Sequence, residues 1–197
     1  TGESALKNVQ PLFSELDFGG IAIAHNGNLT NTNQIKEKLI KSGAIFQSTS
    51  DTEVILHLIS TAKGNLIDRI VYALESITGA FSLVMLTNDS LIGVRDPFGI
   101  RPLVLGKLDD SYILSSESCG LDIIGADLIR DVEPGEIIII KNNKIDSIKP
   151  FKKKIFVSSD KSISIRCLLL SSIALGKSKI YNLLQSEDVI NTIKALK

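Results

Sequence analysis

Apolar residues recur at helical spacing in three stretches of the first half of the chain. Ile35 and Leu39 mark the first stretch, which ends at Gly43. The second stretch begins at Ser50, and the third ends at Gly79. Apolar positions that return every three to four residues, with polar residues between them, are typical of a helix that buries one face. Each stretch is therefore predicted to form an amphipathic helix.

The second helix begins with the spacing of a capping box. Ser50 and Glu53 are three positions apart in the run SDTE, so each side chain can bind the backbone N–H of the other. Asp51 lies between them, where a carboxylate stabilises the positive end of the helix dipole by about 0.3–1 kcal/mol. The alternative is that Asp51 binds the ammonium group of an amino-acid substrate.

The period of the pattern changes from helical to alternating after Gly79. Short apolar runs separated by turn residues then predict strands, and these runs are FSLVML, LIGV, PLVLG, SYILSS and EIIII. Helices that pack on stacked, mostly antiparallel sheets give an α+β fold built in layers.

A further alternating run, which includes Ile21 and Ile23, ends in the polar group HNGN at residues 25–28. Asn-Gly is the commonest signal for a type I′ hairpin turn, and composition alone favours that interpretation. The alternative is chemical, because the Asn26 side-chain amide and the Gly27 backbone N–H are both neutral donors. Two such donors at one point would stabilise the oxyanion of a tetrahedral acyl intermediate.

The net charge of zero hides a difference between two parts of the chain. Residues 1–140 carry a net charge of −8 and residues 141–197 a net charge of +8. The pattern also starts again beyond residue 141, in the order strand, helix, strand, helix. Such asymmetry predicts two parts of different origin, with a boundary at 144–154. The basic run KPFKKK at 149–154 lacks interleaved aromatic residues, so a linker or a phosphate-facing surface is favoured over a nucleic-acid site.

The cysteine content favours a reducing, cytoplasmic setting. Cys119 and Cys167 cannot form a disulfide framework. The apolar runs are too short to cross a bilayer, so no membrane partner is expected. The oligomeric state is left open by the sequence.

Five segments of the chain strongly resemble the glutaminase domain of the glutamine phosphoribosylpyrophosphate amidotransferases. They are IAIAHNGNLTN, STSDTEVILHLI, ITGAFSLVML, VRDPFGIRPLVLG and the segment from ILSSESCG to RDVEPGEIIII. The resemblance extends over residues 1 to about 148, in order and without large gaps. The motifs RDPFGIRPL and RDVEPGE separate it from the sugar-transaminase and asparagine-synthetase relatives, which share HNGN.

The resemblance implies both a fold and a reaction. It implies the α-β-β-α sandwich of the N-terminal-nucleophile hydrolases and favours the chemical interpretation of HNGN. Asn26 and the Gly27 N–H would form the oxyanion hole, and Asp51 would bind the glutamine α-amino group. The segment RDPFGIRPL would support the site without a catalytic role. Glutamine hydrolysis in this family supplies ammonia to phosphoribosylpyrophosphate, which gives 5-phosphoribosylamine for purine biosynthesis.

The sequence departs from the family at two places. The family's nucleophile is an N-terminal Cys that lies upstream of Thr1, and its α-amino group serves as the base. The phosphoribosyltransferase domain, for which Mg²⁺ is expected, would follow residue 148. The expectation is therefore a glutaminase domain truncated at its N-terminus, with no cofactor in this chain and no activity by itself.

The segment DKSISIR at 160–166 is the candidate site of the second part. Lys161 and Ser162 stand at a predicted helix N-terminus, and Arg166 is one turn further along the same face. An anion site and a Ser-capped helix with solvated charges are equally compatible with this spacing. No metal site is predicted.

Residues 149–197 resemble the N-terminal stretch of the EPSP synthases (3-phosphoshikimate 1-carboxyvinyltransferases). The resemblance implies that Lys161 faces phosphoenolpyruvate and that Ser162 and Arg166 contact shikimate 3-phosphate. Ile165 stands where His or Asn is usual. The chain is thus interpreted as a glutaminase domain joined to a small β-α-β-α fragment. The alternatives are an inactive ligand-binding module and a junction without biological role.

Overall fold

The computed structural model describes residues 5–149, 161–173, 180–181 and 183–196, without the side chains of 161–163 and 170. The chain divides into two compact units, Thr1–Lys153 and Lys154–Lys197. Each unit is described by itself.

The first unit contains strands and helices in the order of the chain, after a short 3₁₀ turn at Leu6–Asn8. The strands are β1 (Leu12–Leu16), β2 (Gly19–Leu29), β3 (Gly79–Thr87), β4 (Leu91–Arg95), β5 (Val104–Leu108), β6 (Ser111–Ser115), β7 (Asp127–Asp131), β8 (Ile137–Lys141) and β9 (Lys144–Ile148). The helices are α1 (Thr32–Lys41), α2 (Thr52–Thr61), α3 (Leu66–Ser76) and α4 (Ser118–Ile124).

The strands form two sheets in which every described neighbouring pair is antiparallel. Six strands lie in the order β1-β2-β3-β4-β8-β9, and three lie in the order β6-β5-β7. Short turns join the neighbouring pairs β1-β2, β3-β4, β5-β6 and β8-β9, whereas β2 and β3 are connected through α1, α2 and α3. The long pairing of β2 with β3, from Ile21 opposite Thr87 to Leu29 opposite Gly79, forms the centre of the larger sheet.

Three apolar clusters hold four layers together. Side chains of α1, α2 and α3, such as Ile55 and Ile70, pack with Ile23 and Leu83 on one face of the larger sheet. A second cluster joins the other face of this sheet to the smaller sheet. Leu121 of α4 packs against the smaller sheet in the third cluster. The layers therefore run helix, sheet, sheet, helix, which confirms the α+β sandwich predicted from the sequence.

The three amphipathic helices lie where the sequence places them, but the predicted capping box of α2 is wrong. Glu53 accepts hydrogen bonds from the backbone N–H groups of Gln47 and Ser48, both at 2.8 Å. Its carboxylate therefore accepts hydrogen bonds from the preceding loop and is not directed at the N–H of Ser50. The described capping box belongs to α3, where Asn65 and Asp68 bind each other's backbone N–H.

The hairpin turn that composition alone favoured for HNGN is wrong. Residues 25–28 lie inside β2, where Gly27 stands opposite Phe81 of β3. Gly27 has a φ of +149°, and a Cβ atom placed there would lie 2.1 Å from the carbonyl oxygen of Ala80. Glycine is therefore required for close approach of two strands.

The second unit contains two described helices. The helix predicted from about Ser162 is α5 (Lys161–Ile173), and the helix predicted after Ser186 is α6 (Glu187–Ala195). The Ser164 hydroxyl accepts a hydrogen bond from the Leu184 N–H at 3.1 Å. The predicted strand KIYNLL includes residues 179 and 182, which lie outside the described residues, and 180–181 and 183–184 form no strand.

The basic run at 150–154 also lies outside the described residues. Among the helices that the structure describes, none combines the length and the apolar character that crossing a membrane requires.

Candidate active site

One edge of β2 is open along the second half of the strand. The pairing of β1 with β2 reaches Ile23, which stands opposite Leu12, whereas β3 pairs with β2 as far as Leu29. Beyond Ile23, the edge of β2 that faces β1 therefore has no strand beside it among the residues that the structure describes. Backbone N–H groups of a strand alternate between its two edges, so those of His25, Gly27 and Leu29 share one edge.

Two of these three N–H groups have side-chain acceptors. The N–H of His25 donates to the Gln10 side-chain oxygen at 2.5 Å. The N–H of Leu29 donates to Asp51 Oδ2 at 3.1 Å. Both bonds lie on the open edge, and they place the Gly27 N–H between them.

The hydrogen bonding of β3 supports this orientation of Gly27. The carbonyl oxygen of Phe81 accepts a hydrogen bond from the Asp96 N–H at 2.9 Å, on the side of β3 that faces β4. Residues directly opposite in an antiparallel pair either exchange both hydrogen bonds or neither. Gly27 and Phe81 are opposite each other, so the polar groups of Gly27 are directed away from β3. Its N–H is thus directed towards the open edge of β2.

Asp51 is a buried carboxylate at the start of α2. It is 5% exposed and immediately precedes the first residue of that helix. Its Oδ1 lies 3.4 Å from His25 Nδ1, and its Oδ2 binds the Leu29 N–H. Burial raises the pKa of Asp51, but hydrogen bonds to the carboxylate, among them those from the His25 ring and the Leu29 N–H, lower it more, so that the pKa lies well below its ordinary value. The carboxylate is therefore ionised at neutral pH.

The spacing along β2 links Asp51 to the predicted oxyanion donors. Nitrogen atoms two residues apart in a strand are separated by about 7 Å, so the Gly27 N–H is one such step from the N–H that Asp51 holds. This step is comparable with the length of glutamine between its α-amino group and its side-chain carbonyl. The structure thus places Gly27 near Asp51, although 24 residues separate them in the sequence.

Asn26 has an exposed side chain and lies next to Gly27 in β2. A strand directs neighbouring side chains to opposite faces, so Asn26 and His25 project from different faces of the larger sheet. The convergence of the Asn26 amide and the Gly27 N–H on one oxyanion stays a prediction.

A polar depression of about 230 Å³ lies at this end of β2. Asp51 and Asn28 line it, together with the threonine and asparagine side chains at the start of α1 and before α2; these are Thr30, Thr32, Asn33 and Thr49. Polar walls of this kind suit an amino acid better than an apolar ligand.

The motif RDPFGIR forms a loop that is braced by its own first two residues. Asp96 is fully buried, and its carboxylate accepts three backbone N–H groups, from Phe98, Ile100 and Arg101. The Arg95 guanidinium donates to the carbonyl oxygens of Gly99, Arg101 and Val132. Since the Asp96 N–H binds Phe81, the loop is anchored directly behind Gly27. A role of this loop in supporting the site stays a prediction.

Sequence reasoning missed three residues of this site. Gln10, His25 and Thr52 join β2 to α2, and the contacts between them involve side chains 15 to 42 residues apart. The sequence did contain one signal for His25. It lies two residues after Ile23 and four after Ile21, and alternate residues of a strand share one face, so its ring is directed to the buried face.

The predicted anion site of the second unit is described only in part. Lys161 and Ser162 stand at the start of α5, but their side chains lie outside the description. Arg166 is exposed one turn further on. Within the described parts of both units, no group of three His, Cys, Asp or Glu side chains is placed to hold a metal ion.

The four-layer sandwich, with a buried carboxylate beside an open strand edge, has the N-terminal-nucleophile hydrolase fold of the solved structures that it resembles. The family model described as "Glutamine amidotransferase domain" matches residues 4–122, and the chain belongs to this family. A model of the EPSP synthases (3-phosphoshikimate 1-carboxyvinyltransferases) matches residues 145–197.

Within that class the similar curated proteins are amidophosphoribosyltransferases. The one from Rhizobium etli is 53% identical over 158 residues, which cover 77% of this chain and 32% of that protein. The one from Archaeoglobus fulgidus is 42% identical over 157 residues, which cover 78% of this chain and 34% of that protein. The chain thus spans about a third of the length of these relatives.

Solved structures show the same relationship. The glutamine phosphoribosylpyrophosphate amidotransferase from Bacillus subtilis, complexed with ADP and GMP, matches with a TM-score of 0.74 and 28% identity, covering 98% of this chain and 48% of that one. A structure described as the allosteric regulatory enzyme of purine biosynthesis matches with a TM-score of 0.74 and 31% identity, over 88% of this chain and 42% of that one.

Proposed function

We propose that residues 1–148 are the glutamine-binding part of an amidophosphoribosyltransferase. Glutamine hydrolysis there would supply ammonia to phosphoribosylpyrophosphate, which gives 5-phosphoribosylamine in purine biosynthesis. The Gly27 N–H and the Asn26 amide would stabilise the oxyanion, and Asp51 would hold the α-amino group. A cytoplasmic location, and glutamine chemistry that requires no cofactor in this chain, are parts of the same proposal.

The observation that carries the proposal is the open edge of β2. Leu29 donates to Asp51 on this edge, and the Gly27 N–H lies one step along it. An ionised carboxylate in a polar depression attracts an ammonium group, while a backbone N–H at the other end of the substrate attracts a developing oxyanion. Both ends of glutamine would therefore meet complementary partners along one strand edge, Asp51 beside it and the Gly27 N–H within it.

Binding of glutamine by the full 197-residue chain tests the proposal. Isothermal titration calorimetry would compare the wild type with Asp51→Asn, which removes the charge that attracts the ammonium group. Asp68→Asn is the matched control, because it changes an exposed helix-capping carboxylate on α3, away from the site. A charged hydrogen bond is worth about 1.5–3 kcal/mol, so Asp51→Asn should weaken glutamine binding by about tenfold or more.

Two results would refute the proposed site. The first is the absence of measurable glutamine binding by the wild type at millimolar concentration. The second is an equal loss of affinity in Asp51→Asn and Asp68→Asn, since a general loss of helix stability would then explain the effect.

We also propose that the second unit binds an anion of the kind that EPSP synthases use, on the basis of the match at 145–197. Lys161 would face phosphoenolpyruvate, and Ser162 and Arg166 would contact shikimate 3-phosphate. Titration of the full chain with shikimate 3-phosphate should show binding that Arg166→Ala weakens by about tenfold. Lys194→Ala, which removes an exposed cation of α6, should leave that binding unchanged. Equal effects of the two variants would contradict a specific site.

A further inference from the structure

The His25 ring is buried against the carboxylate that the proposed function uses. Its side chain is 1% exposed, and Nδ1 lies 3.4 Å from Asp51 Oδ1 and 3.3 Å from the Thr52 hydroxyl. An ionised carboxylate has no hydrogen to donate, so the contact with Asp51 is favourable only when Nδ1 carries the hydrogen. The geometry therefore assigns the Nδ1–H tautomer to His25.

The other ring nitrogen shows that the buried ring is unfavourable for stability. His25 Nε2 is buried and has no hydrogen-bond partner among the residues that the structure describes. A buried polar group without a partner costs about 1–3 kcal/mol, so the ring is retained at a cost to stability. Residues that carry such a cost are concentrated at functional sites. An apolar side chain would fill this position on the buried face of β2 without the cost.

The backbone of His25 is fixed to the same helix as its ring. Its N–H donates to the Gln10 side-chain oxygen at 2.5 Å, and the Gln10 side-chain nitrogen donates to the Thr52 hydroxyl at 3.3 Å. The start of α2 is thus attached to β2 by both the ring and the backbone of one residue. That residue immediately precedes Asn26 and Gly27, so it sets the distance between the oxyanion donors and Asp51.

We propose that His25 is a positioning residue for recognition of the glutamine α-amino group. Its Nδ1–H holds one oxygen of the Asp51 carboxylate while the Leu29 N–H holds the other, and the carboxylate is thereby aimed at the ammonium group. A carboxylate has about four acceptor positions, so these two contacts orient the group without using every position. This inference rests on the proposed function of Asp51.

The inference predicts an effect on selectivity rather than on binding in general. A suitable probe is 4-carbamoylbutanoate, which is glutamine without its α-amino group. Calorimetry on the full chain would give the ratio of affinities for glutamine and for this probe. If His25 acts through Asp51, its loss lowers the affinity for glutamine and leaves the affinity for the probe unchanged.

Two polar substitutions of His25 form a matched pair. In His25→Asn the side-chain NH₂ can occupy the place of Nδ1, so the donor to Asp51 is retained. In His25→Gln the amide extends to the place of Nε2, so the donor is displaced from Asp51. We expect His25→Gln to lower the affinity ratio by about tenfold, the effect of one charged hydrogen bond, and His25→Asn to keep the ratio within about threefold of the wild type.

The outcomes separate this inference from the proposed function. If the wild type does not prefer glutamine to the probe, and Asp51→Asn changes nothing, the amino-group site itself is refuted, and the role of His25 with it. If the wild type prefers glutamine and Asp51→Asn abolishes the preference, but His25→Gln retains it, only the role of His25 is refuted. If His25→Gln lowers the affinities for glutamine and for the probe equally, the effect is structural, and the positioning role of His25 is again refuted.

Discussion

Replacing Gly27 with alanine perturbs the closest approach of β2 to β3. The added Cβ atom would lie 2.1 Å from the Ala80 carbonyl oxygen and 2.8 Å from Phe81 Cα, where an ordinary contact begins at 3.4 Å. Both neighbours are backbone atoms of a central strand, so neither can rotate away. The two strands would have to separate by roughly 1 Å near Gly27.

The cost has two sources. A non-glycine residue at a φ of +149° is strained by about 1–3 kcal/mol. Separation of the strands weakens the neighbouring pair, Asn26 with Ser82, which exchanges backbone hydrogen bonds worth about 1 kcal/mol each. Together these effects should lower the free energy of unfolding by about 3–5 kcal/mol, which corresponds to a fall in the unfolding midpoint of roughly 10–15 °C for a domain of this size.

Thermal unfolding followed by circular dichroism would measure the change, with Gly43→Ala as the control. Gly43 also has a positive φ, +95°, but nothing lies within 4 Å of the added Cβ. The control therefore carries the backbone strain without the steric clash. If Gly27→Ala destabilises the protein no more than Gly43→Ala does, the close approach of β2 and β3 at the site is refuted.

Three further predictions concern the stability of the first unit. The pKa of Glu136 is lowered to about 2, because hydrogen bonds from Arg130 and neighbouring groups outweigh its burial. Glu136→Gln should therefore lower the free energy of unfolding by up to roughly 3 kcal/mol above pH 5. In unfolding experiments at graded pH, this difference from the wild type should shrink as the pH falls from 4.5 to 2, because the wild-type carboxylate becomes protonated. A difference that stays constant with pH would contradict the prediction. Asp96→Ala leaves three loop N–H groups without their acceptor and should lower the free energy of unfolding in urea by about 3–5 kcal/mol; a loss below about 1 kcal/mol would disprove the bracing role. Arg69→Gln removes an ion pair whose Asp17 carboxylate is exposed, so the unfolding midpoint should be nearly unchanged in physiological salt, and a large fall would contradict the weak role of this pair.

The helices show how far periodicity alone reaches. Their apolar faces are set by residues a few positions apart, so α1, α2 and α3 could be located without coordinates. The end of α2 that bears on function was predicted less well. Glu53 turns towards Gln47 and Ser48 because the preceding loop offers unsatisfied N–H groups, and the sequence spacing of Ser50 and Glu53 does not report that competition.

The strands show a different limit. The runs that became β3, β4 and β8 are strongly apolar and were predicted, whereas β7 and β9 are mostly exposed and carry charges. Their place in the sheets comes from pairing with β5 and β8. Backbone pairing of this kind leaves a weak signal in the sequence of an edge strand.

The sequence by itself determined the layered α+β class, and its motifs indicated the glutamine amidotransferase family with Asn26, Gly27 and Asp51 as candidates. Only the tertiary structure decided that HNGN is strand rather than turn, and that His25 and Asp51 meet. The physical reason is the range of the interactions involved. A helix is stabilised by neighbours along the chain, whereas the environment of Gly27 is made by a strand more than 50 residues away.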